Sequence, residues 1–289
     1  MSKYYKTKEN VVFDTIVNLV MVFTLLVCFL PFVYMAALSF SSSKAIINNQ
    51  VLFWPVGFNL DAYKQIFTYP NFFQAYGNTF IYTIGGTAIA MLMTIMFAYP
   101  LSKDNLMGHK FFMKIVVISM FFAGGMIPNY ILMVSLGLRD TVASFILPGM
   151  ISTYYVILMR SFFLSLPREL EEAGEIDGLD KWGVFWRIAI PLSKPIIATM
   201  ALFYVVQYWN DWFDAFLYLD TTTKWPVAYY LRQLISSASG TSADAGDAMQ
   251  IASNIKSCAM VLTSAPIICI YPFIQKYFVQ GMMLGGVKG

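Results

Sequence analysis

The sequence predicts an all-α polytopic membrane protein with about six transmembrane helices and one charged helical hairpin set between two of them. Three observations predict it. Of 289 residues, 58% are hydrophobic and only 12% charged, with a mean hydropathy of +0.62, too little polar surface to cover a soluble globule of that size. Apolar runs long enough to cross about 30 Å of hydrocarbon recur near residues 13–39, 73–101, 112–135, 142–165, 196–218 and 257–279. Between the fourth and fifth of these runs lies a stretch dense in charge, residues 169–195. Helices follow because an unpaired backbone in lipid is too costly for anything but helices or closed barrels.

Taken in order, the first run follows Lys3, Lys6 and Lys8 as a signal peptide would, but continues past Pro31 with no small-residue cleavage site, so it reads as an uncleaved span. The segment 40–72 carries Trp54-Pro55, Asn59 and Asp61, with Tyr63 and Phe67 at near-helical spacing, and predicts a short helix on the outer surface. Lys103-Asp104 closes the second run. His109, beside Lys110, falls in a short polar loop where a solvated role is expected. Gly124-Gly125 and Pro128-Asn129 must loosen the third run and free carbonyls, which makes Asn129 and Tyr130 candidates for a pathway, although close packing by glycine explains the pattern almost as well. Arg139-Asp140 closes that run, and Arg160, near the end of the fourth, is expected to snorkel. Residues 219–256 form a long loop whose Ser, Gly, Ala and Asp content packs poorly and stays mobile, either a linker or a partner contact. Cys28, Cys258 and Cys269 sit in or beside apolar runs without metal-ligand spacing and read as small buried hydrophobes.

Orientation follows the lysines and arginines. With the N-terminus cytoplasmic, inner segments hold thirteen (Lys3, Lys6, Lys8, Lys103, Lys110, Lys114, Arg160, Arg168, Lys181, Arg187, Lys194, Lys276 and Lys288) against six outside (Lys44, Lys64, Arg139, Lys224, Arg232 and Lys256). Both termini and the charged hairpin are therefore assigned to the cytoplasm of a multi-pass cell-membrane protein. The net charge of +3 is a topology signal; no basic patch with interleaved aromatics points to nucleic acid.

The hairpin, residues 168–191, has its own start and stop signals. Pro167 suits a first helical turn, and Glu169, Glu171 and Glu172 stand where the positive end of the helix dipole favours carboxylates. Gly178 can take the left-handed conformation that ends the helix, and Asp180 can cap a second one running through Trp182, Val184, Phe185, Trp186 and Ile188 until Pro191 and Pro195 halt it. The first helix, with Leu170, Ala173 and Ile176 on one face, is offered to water or a partner. The second, with two tryptophans and Arg187, is suited to the lipid headgroup boundary.

In the fifth run, Gln207, Asn210, Asp211 and Asp214 fall within an arc of about 100° if the segment is one helix. Tyr204, Tyr208, Trp209 and Trp212 flank this stripe, and aromatic faces beside amide and carboxylate acceptors suit sugar rings. The alternative is helix–helix adhesion or an ordinary interfacial belt.

The hairpin also resembles the EAA signature of the membrane-spanning subunits of binding-protein-dependent ABC importers: E-A-A, three residues, glycine, nine residues, then I-x-L-P. Glu172, Ala173 and Gly174 stand for E-A-A, Gly178 for the glycine, and Ile188, Ile190 and Pro191 for I-x-L-P, with Gly174 in place of the second alanine and Ile190 in place of leucine. FFAGGMIPNYILMVSLGLRDT (121–141) and YVVQYWNDWFDAFLYL (204–219) are similar to carbohydrate-type permeases of the maltose-transporter MalG class, especially the branch for complex oligosaccharides and polysaccharide fragments. The resemblance implies a type I importer permease fold over residues 1–289 and a coupling helix at about 168–178 that docks on a separate ATPase, with Glu172 the charged contact, Ala173 and Gly174 the close-packing surface and Gly178 the turn. It also implies a second permease subunit, two ATPase subunits, an extracytoplasmic solute-binding protein and a carbohydrate substrate. The chain has no G-x-x-x-x-G-K-S/T phosphate loop, so ATP and magnesium are expected on the partner ATPase, with no catalytic residue, metal or cofactor here. Other readings are a permease of this architecture for a peptide or polyamine, and an ion-coupled secondary transporter with Asp211 or Asp214 as the ion site.

Overall fold

Helix is the only regular secondary structure among the residues that the computed structural model describes, which are 8–240, 254–270 and Pro272. These residues divide between two units, Met1–Tyr69 with Leu234–Ser264, and Pro70–Gln233 with Ala265–Gly289.

In the first unit, α1 (Lys8–Ser39) runs through Pro31 without ending. Its most apolar window has no residue buried within the chain, so a helix apolar on all sides is left for lipid or another subunit to cover. After it, Ser42 caps α2 (Ser43–Ile47) by accepting the Ala45 N–H at 3.4 Å. The short helix expected in segment 40–72 is α3 (Asp61–Thr68); its Tyr63 hydroxyl donates to Ser39 Oγ at 2.9 Å, and the Phe40 ring stacks on Phe58 and Tyr63. The helix Asn254–Ile270 enters the same unit through Asn254 Nδ2, which donates to the Ser41 carbonyl at 3.4 Å. Only Cys258 of the three cysteines is buried; Cys28 and Cys269 are exposed on their apolar helices.

The second unit is built round α4 (Phe72–Leu101), which packs chiefly on α12 (Lys194–Asn210) and then on α8 (Thr153–Leu164). Small residues allow the approach: Ala90 and Ala98 are fully buried, and a Cβ on Gly86 would stand 2.9 Å from the Tyr208 ring. The expected continuous spans are corrected here. The third run is two helices, α5 (His109–Phe121) and α6 (Met126–Ser135), bent by 113° at a break where Gly125 has φ +86°. The fourth is α7 (Val142–Ile146) and α8, interrupted at Pro148-Gly149, where proline removes a donor and clashes with the preceding turn. The fifth is α12 and α13 (Phe213–Tyr218), separated by extended backbone at Asp211. Among the described residues, two helices are each long and apolar enough to cross a membrane, and up to four spans result if α5 with α6, and Lys181–Leu192 with Lys194–Asn210, each count as one bent span. Residues 273–279 of the sixth run lie outside the described residues.

Two further expectations change. Arg160 does not snorkel: its Nε donates to the Leu101 carbonyl at 2.7 Å, capping the end of α4. His109 is half-buried rather than solvated, with Nε2 3.1 Å from the same carbonyl. Segment 219–256, expected as a mobile loop, holds a 3₁₀ turn at Thr222–Lys224 and α14 (Val227–Gly240), while 241–253 lies outside the described residues.

Candidate functional site

The hairpin begins where its signals predict. Pro167 takes the position just before α9 (Arg168–Ile176), Gly178 has φ +87° in open space beyond it, and the Asp180 carboxylate accepts the Gly183 N–H at 2.7 Å to start α10 (Lys181–Val184). The second helix is less regular than expected. A π-helical turn, Phe185–Ala189, follows α10, with the Ile190 N–H bonded to the Phe185 carbonyl five residues back. Pro191 accounts for it, since a proline cannot bond to the carbonyl four residues earlier and crowds it, and a wider turn relieves both. Pro191 does not halt the helix, which continues through α11 (Ile190–Leu192); Pro195 opens α12.

That wide turn decides the packing at the signature. Gly174 is buried, and a Cβ there would lie 2.4 Å from Ile188 Cδ1 and 3.4 Å from Leu179 Cδ1. The glycine that replaces the second alanine is therefore matched to Ile188. Glu172 and Ile176, two residues either way along the helix, are exposed on the opposite side, Ile176 at 86%, and Ala173 is exposed between the two sides.

Residues outside the signature hold this helix down. Glu171 pairs with Lys103, whose ammonium also stands 4.4 Å from the centre of the Tyr99 ring at the end of α4. Arg168 donates to Asp104 at 2.5 Å, and this hydrogen bond holds the Asp104 carboxyl below its ordinary value. Phe185 packs on Tyr99 with ring centres 4.8 Å apart. Between α9 and the 102–107 turn lies a cavity of about 730 Å³, with Glu172 and Glu175 on one wall and Lys103 and Asn105 on another. Sequence reasoning missed Lys103 and Glu171 as a pair, for they stand 68 residues apart.

The polar stripe fares differently. Because α12 ends at Asn210, its four residues do not share one helical face. Asp211 serves the break itself: Oδ1 accepts the N–H groups of Phe213 and Asp214, both at 3.1 Å, and so caps α13. Tyr204 and Tyr208 are buried in the core of this chain. The Tyr204 hydroxyl lies 2.7 Å from Thr94 Oγ1, and that of Tyr208 donates to the Ile146 carbonyl at 3.0 Å. Trp209 is buried against Tyr76 and Phe80. Gln207 is half-buried and donates to the Gly149 carbonyl at 3.5 Å, and Asn210 is exposed with its amide on the Val206 carbonyl at 3.0 Å. Asp214 is half-buried beside Asp211, Asn129 is exposed, and Tyr130 stacks on Tyr218 at 6.2 Å. Further along, Asp140 binds residues 220–224: it accepts from the Asp220 and Thr221 N–H groups at 3.1 Å, from the Thr221 hydroxyl at 2.6 Å and from Lys224 Nζ at 2.7 Å. Burial alone would raise this carboxyl, but those bonds hold it below the usual carboxylate range.

A helix–glycine–helix hairpin of this composition, fixed to the end of a long apolar helix, is accompanied by a match of residues 3–284 to the family described as binding-protein-dependent transport system inner membrane component. The chain belongs to that family. It is a permease subunit, without catalysis of its own, in which ATP hydrolysis falls to a separate subunit; it works with other importer components and a substrate-binding protein.

The permease is 43% identical to "Protein LplC" of Bacillus subtilis (strain 168), over 99% of this chain and 98% of that one. It is 38% identical to the polygalacturonan/rhamnogalacturonan transport system permease protein YtcP of the same organism, over 97% of this chain and 100% of that one. A crystal structure of a bacterial ABC transporter involved in the import of the acidic polysaccharide alginate contains a chain similar to the permease, with TM-score 0.85 and 28% identity, covering 96% of this chain and all of the other.

Proposed function

We propose that the permease is one half of the translocation pathway of an ATP-driven carbohydrate importer, and that residues 168–191 couple it to a cytoplasmic ATPase. The single observation that carries the reading is the division of α9 into two sides: Glu171 ties it to Lys103 at the end of α4 and Gly174 seats it on Ile188 of the hairpin's second half, while Glu172, Ala173 and Ile176 are exposed to a partner. A helix anchored on one side and presenting Glu172 beside Ile176 on the exposed other is fitted to receive a push and pass it on as a rigid body.

In this reading residues 1–289 form a single permease domain with both termini in the cytoplasm, and 219–256 lies on the extracytoplasmic side, towards the solute-binding protein. A second permease chain completes the pathway, and two ATPase subunits hold ATP and magnesium. An acidic oligosaccharide is the favoured cargo, since YtcP is named for polygalacturonan and rhamnogalacturonan and the structural relative serves alginate import. An ion-coupled mechanism through Asp211 has less support, because that carboxylate is engaged with the backbone.

The test is substitution at Glu172 and at Gly178, where a β-branched residue would have to adopt φ +87°. Glu172→Ala and Gly178→Val should abolish uptake and co-purification with the ATPase while leaving membrane insertion intact. Normal uptake in both would overturn the coupling assignment.

A further inference from the structure

Arg232, in the first turns of α14, sits over Trp212 with its guanidinium carbon 3.6 Å from the ring centre. It is exposed, and among the described residues no ion pair involves it. The indole beneath it opens a run of aromatic rings. Trp212 meets Phe213 at 5.4 Å and Phe216 at 6.4 Å, Phe216 meets Tyr229 at 6.2 Å, and Tyr229 meets Trp225 at 4.6 Å, its hydroxyl accepting from Gln233 at 2.8 Å. Phe213 and Phe216 are exposed, so this shelf is open in the chain as it stands.

The position bears on what the shelf can meet. Trp212 sits at the break between α12 and α13, and non-helical backbone at membrane depth is tolerated only inside protein or along a water-filled cavity. A guanidinium stacked on an aromatic face has its plane fixed in advance while its N–H donors point outward in that plane, a fork that matches a carboxylate. The acids that flank Trp212 in sequence are Asp211 and Asp214, and Asp211 already has one oxygen on two backbone N–H groups.

We propose that Arg232, oriented by Trp212, recognises the carboxylate of a uronic acid residue in the substrate, with the neighbouring aromatic faces taking the sugar rings. This rests on the carbohydrate reading above. It adds the residue that separates acidic from neutral sugars.

The experiment uses the complete transporter in membranes and measures concentration-dependent uptake of trigalacturonate and of its methyl ester, whose carboxylates are masked. In Arg232→Gln the half-saturating concentration for trigalacturonate should rise about tenfold or more, the worth of a charge-assisted hydrogen bond, and its advantage over the ester should shrink towards parity. Arg232→Lys, which keeps the charge and loses the fork, should fall between. Membrane level and assembly with the partner chains should not change in either variant. An unchanged preference for the acid overturns the proposal. So does a parallel loss for both probes with falling membrane level or assembly, which would assign Arg232 to a lipid phosphate or a subunit interface. If the native transporter imports neither probe, nor any neutral oligosaccharide, the carbohydrate reading itself fails and the proposal with it; uptake of neutral sugars alone overturns only the proposal.

Discussion

The α9 hairpin and the break at Asp211 are both polar interruptions in an apolar chain, but their polar groups serve different ends. In the hairpin, one side is anchored through Glu171, Arg168 and Gly174, and Glu172 is left exposed. At the break, Asp211 binds backbone, while nearby Tyr204 and Tyr208 direct their hydroxyls to Thr94 and the Ile146 carbonyl. Where water cannot satisfy a freed donor or acceptor, neighbouring side chains must, and a polar residue engaged that way is not free for substrate. Polarity within a span thus locates a discontinuity more directly than a pathway.

The largest effect that would sharpen this contrast is at Tyr208, buried under α4 against Gly86. Tyr208→Ala should destabilise the detergent-solubilised permease by about 3–5 kcal/mol, as removal of a buried aromatic does, whereas Ile176→Ala on the exposed face should fall within about 0.5 kcal/mol. Thermal unfolding of the two variants measures both. If Tyr208→Ala unfolds like the native chain but loses uptake, the ring faces a path after all and the contrast collapses.

The two regions also differ in how far their sequences disclosed them. The hairpin's start at Pro167, its stop at Gly178 and its second cap at Asp180 are local signals, each acting over a few residues; Gly178 and Asp180 operate as read, and Pro167 stands one position before the first turn rather than in it. The π turn before Pro191 was not legible, because it depends on how a proline inside a helix is accommodated. At the fifth run the periodicity argument assumed an unbroken helix. Neither Asn210 nor Asp211 breaks a helix by itself, and the break became visible only with the tertiary partners of Tyr208 and Gln207 in place. Apolar length likewise marked α1 and α4 correctly, yet overstated the continuity of the third and fourth runs, which break at Gly125 and at Pro148-Gly149. The class of fold follows from composition, whereas continuity depends on contacts far apart in sequence.

An intermediate effect is expected at the pair anchoring α9. Lys103 and Glu171 are each less than one-third exposed, so the pair is worth about 1 kcal/mol, a modest sum for stability. For coupling it should matter more, since it ties α9 to the end of α4. Lys103→Glu and Glu171→Lys should each lower transport per ATP hydrolysed while ATPase association persists, and the double exchange should restore transport. Failure of the exchange to rescue, with both single variants well inserted, would separate α9 from α4 and leave Gly174 and Ile188 as its anchor.

The smallest effect distinguishes a cap from a substrate or ion site at Asp211. If the carboxylate only accepts the N–H groups of Phe213 and Asp214, then asparagine or serine can replace it, and alanine should cost about 1 kcal/mol. Uptake should then be nearly native in Asp211→Asn and Asp211→Ser and modestly reduced in Asp211→Ala, in step with thermal stability. A charge needed for transport gives the opposite order: Asp211→Asn would be inactive although its cap and stability were preserved. Asparagine keeps the acceptor and removes the charge, so that one variant decides whether the break, like the exposed face of α9, offers a charged group to a partner or uses its polarity only to hold the chain together.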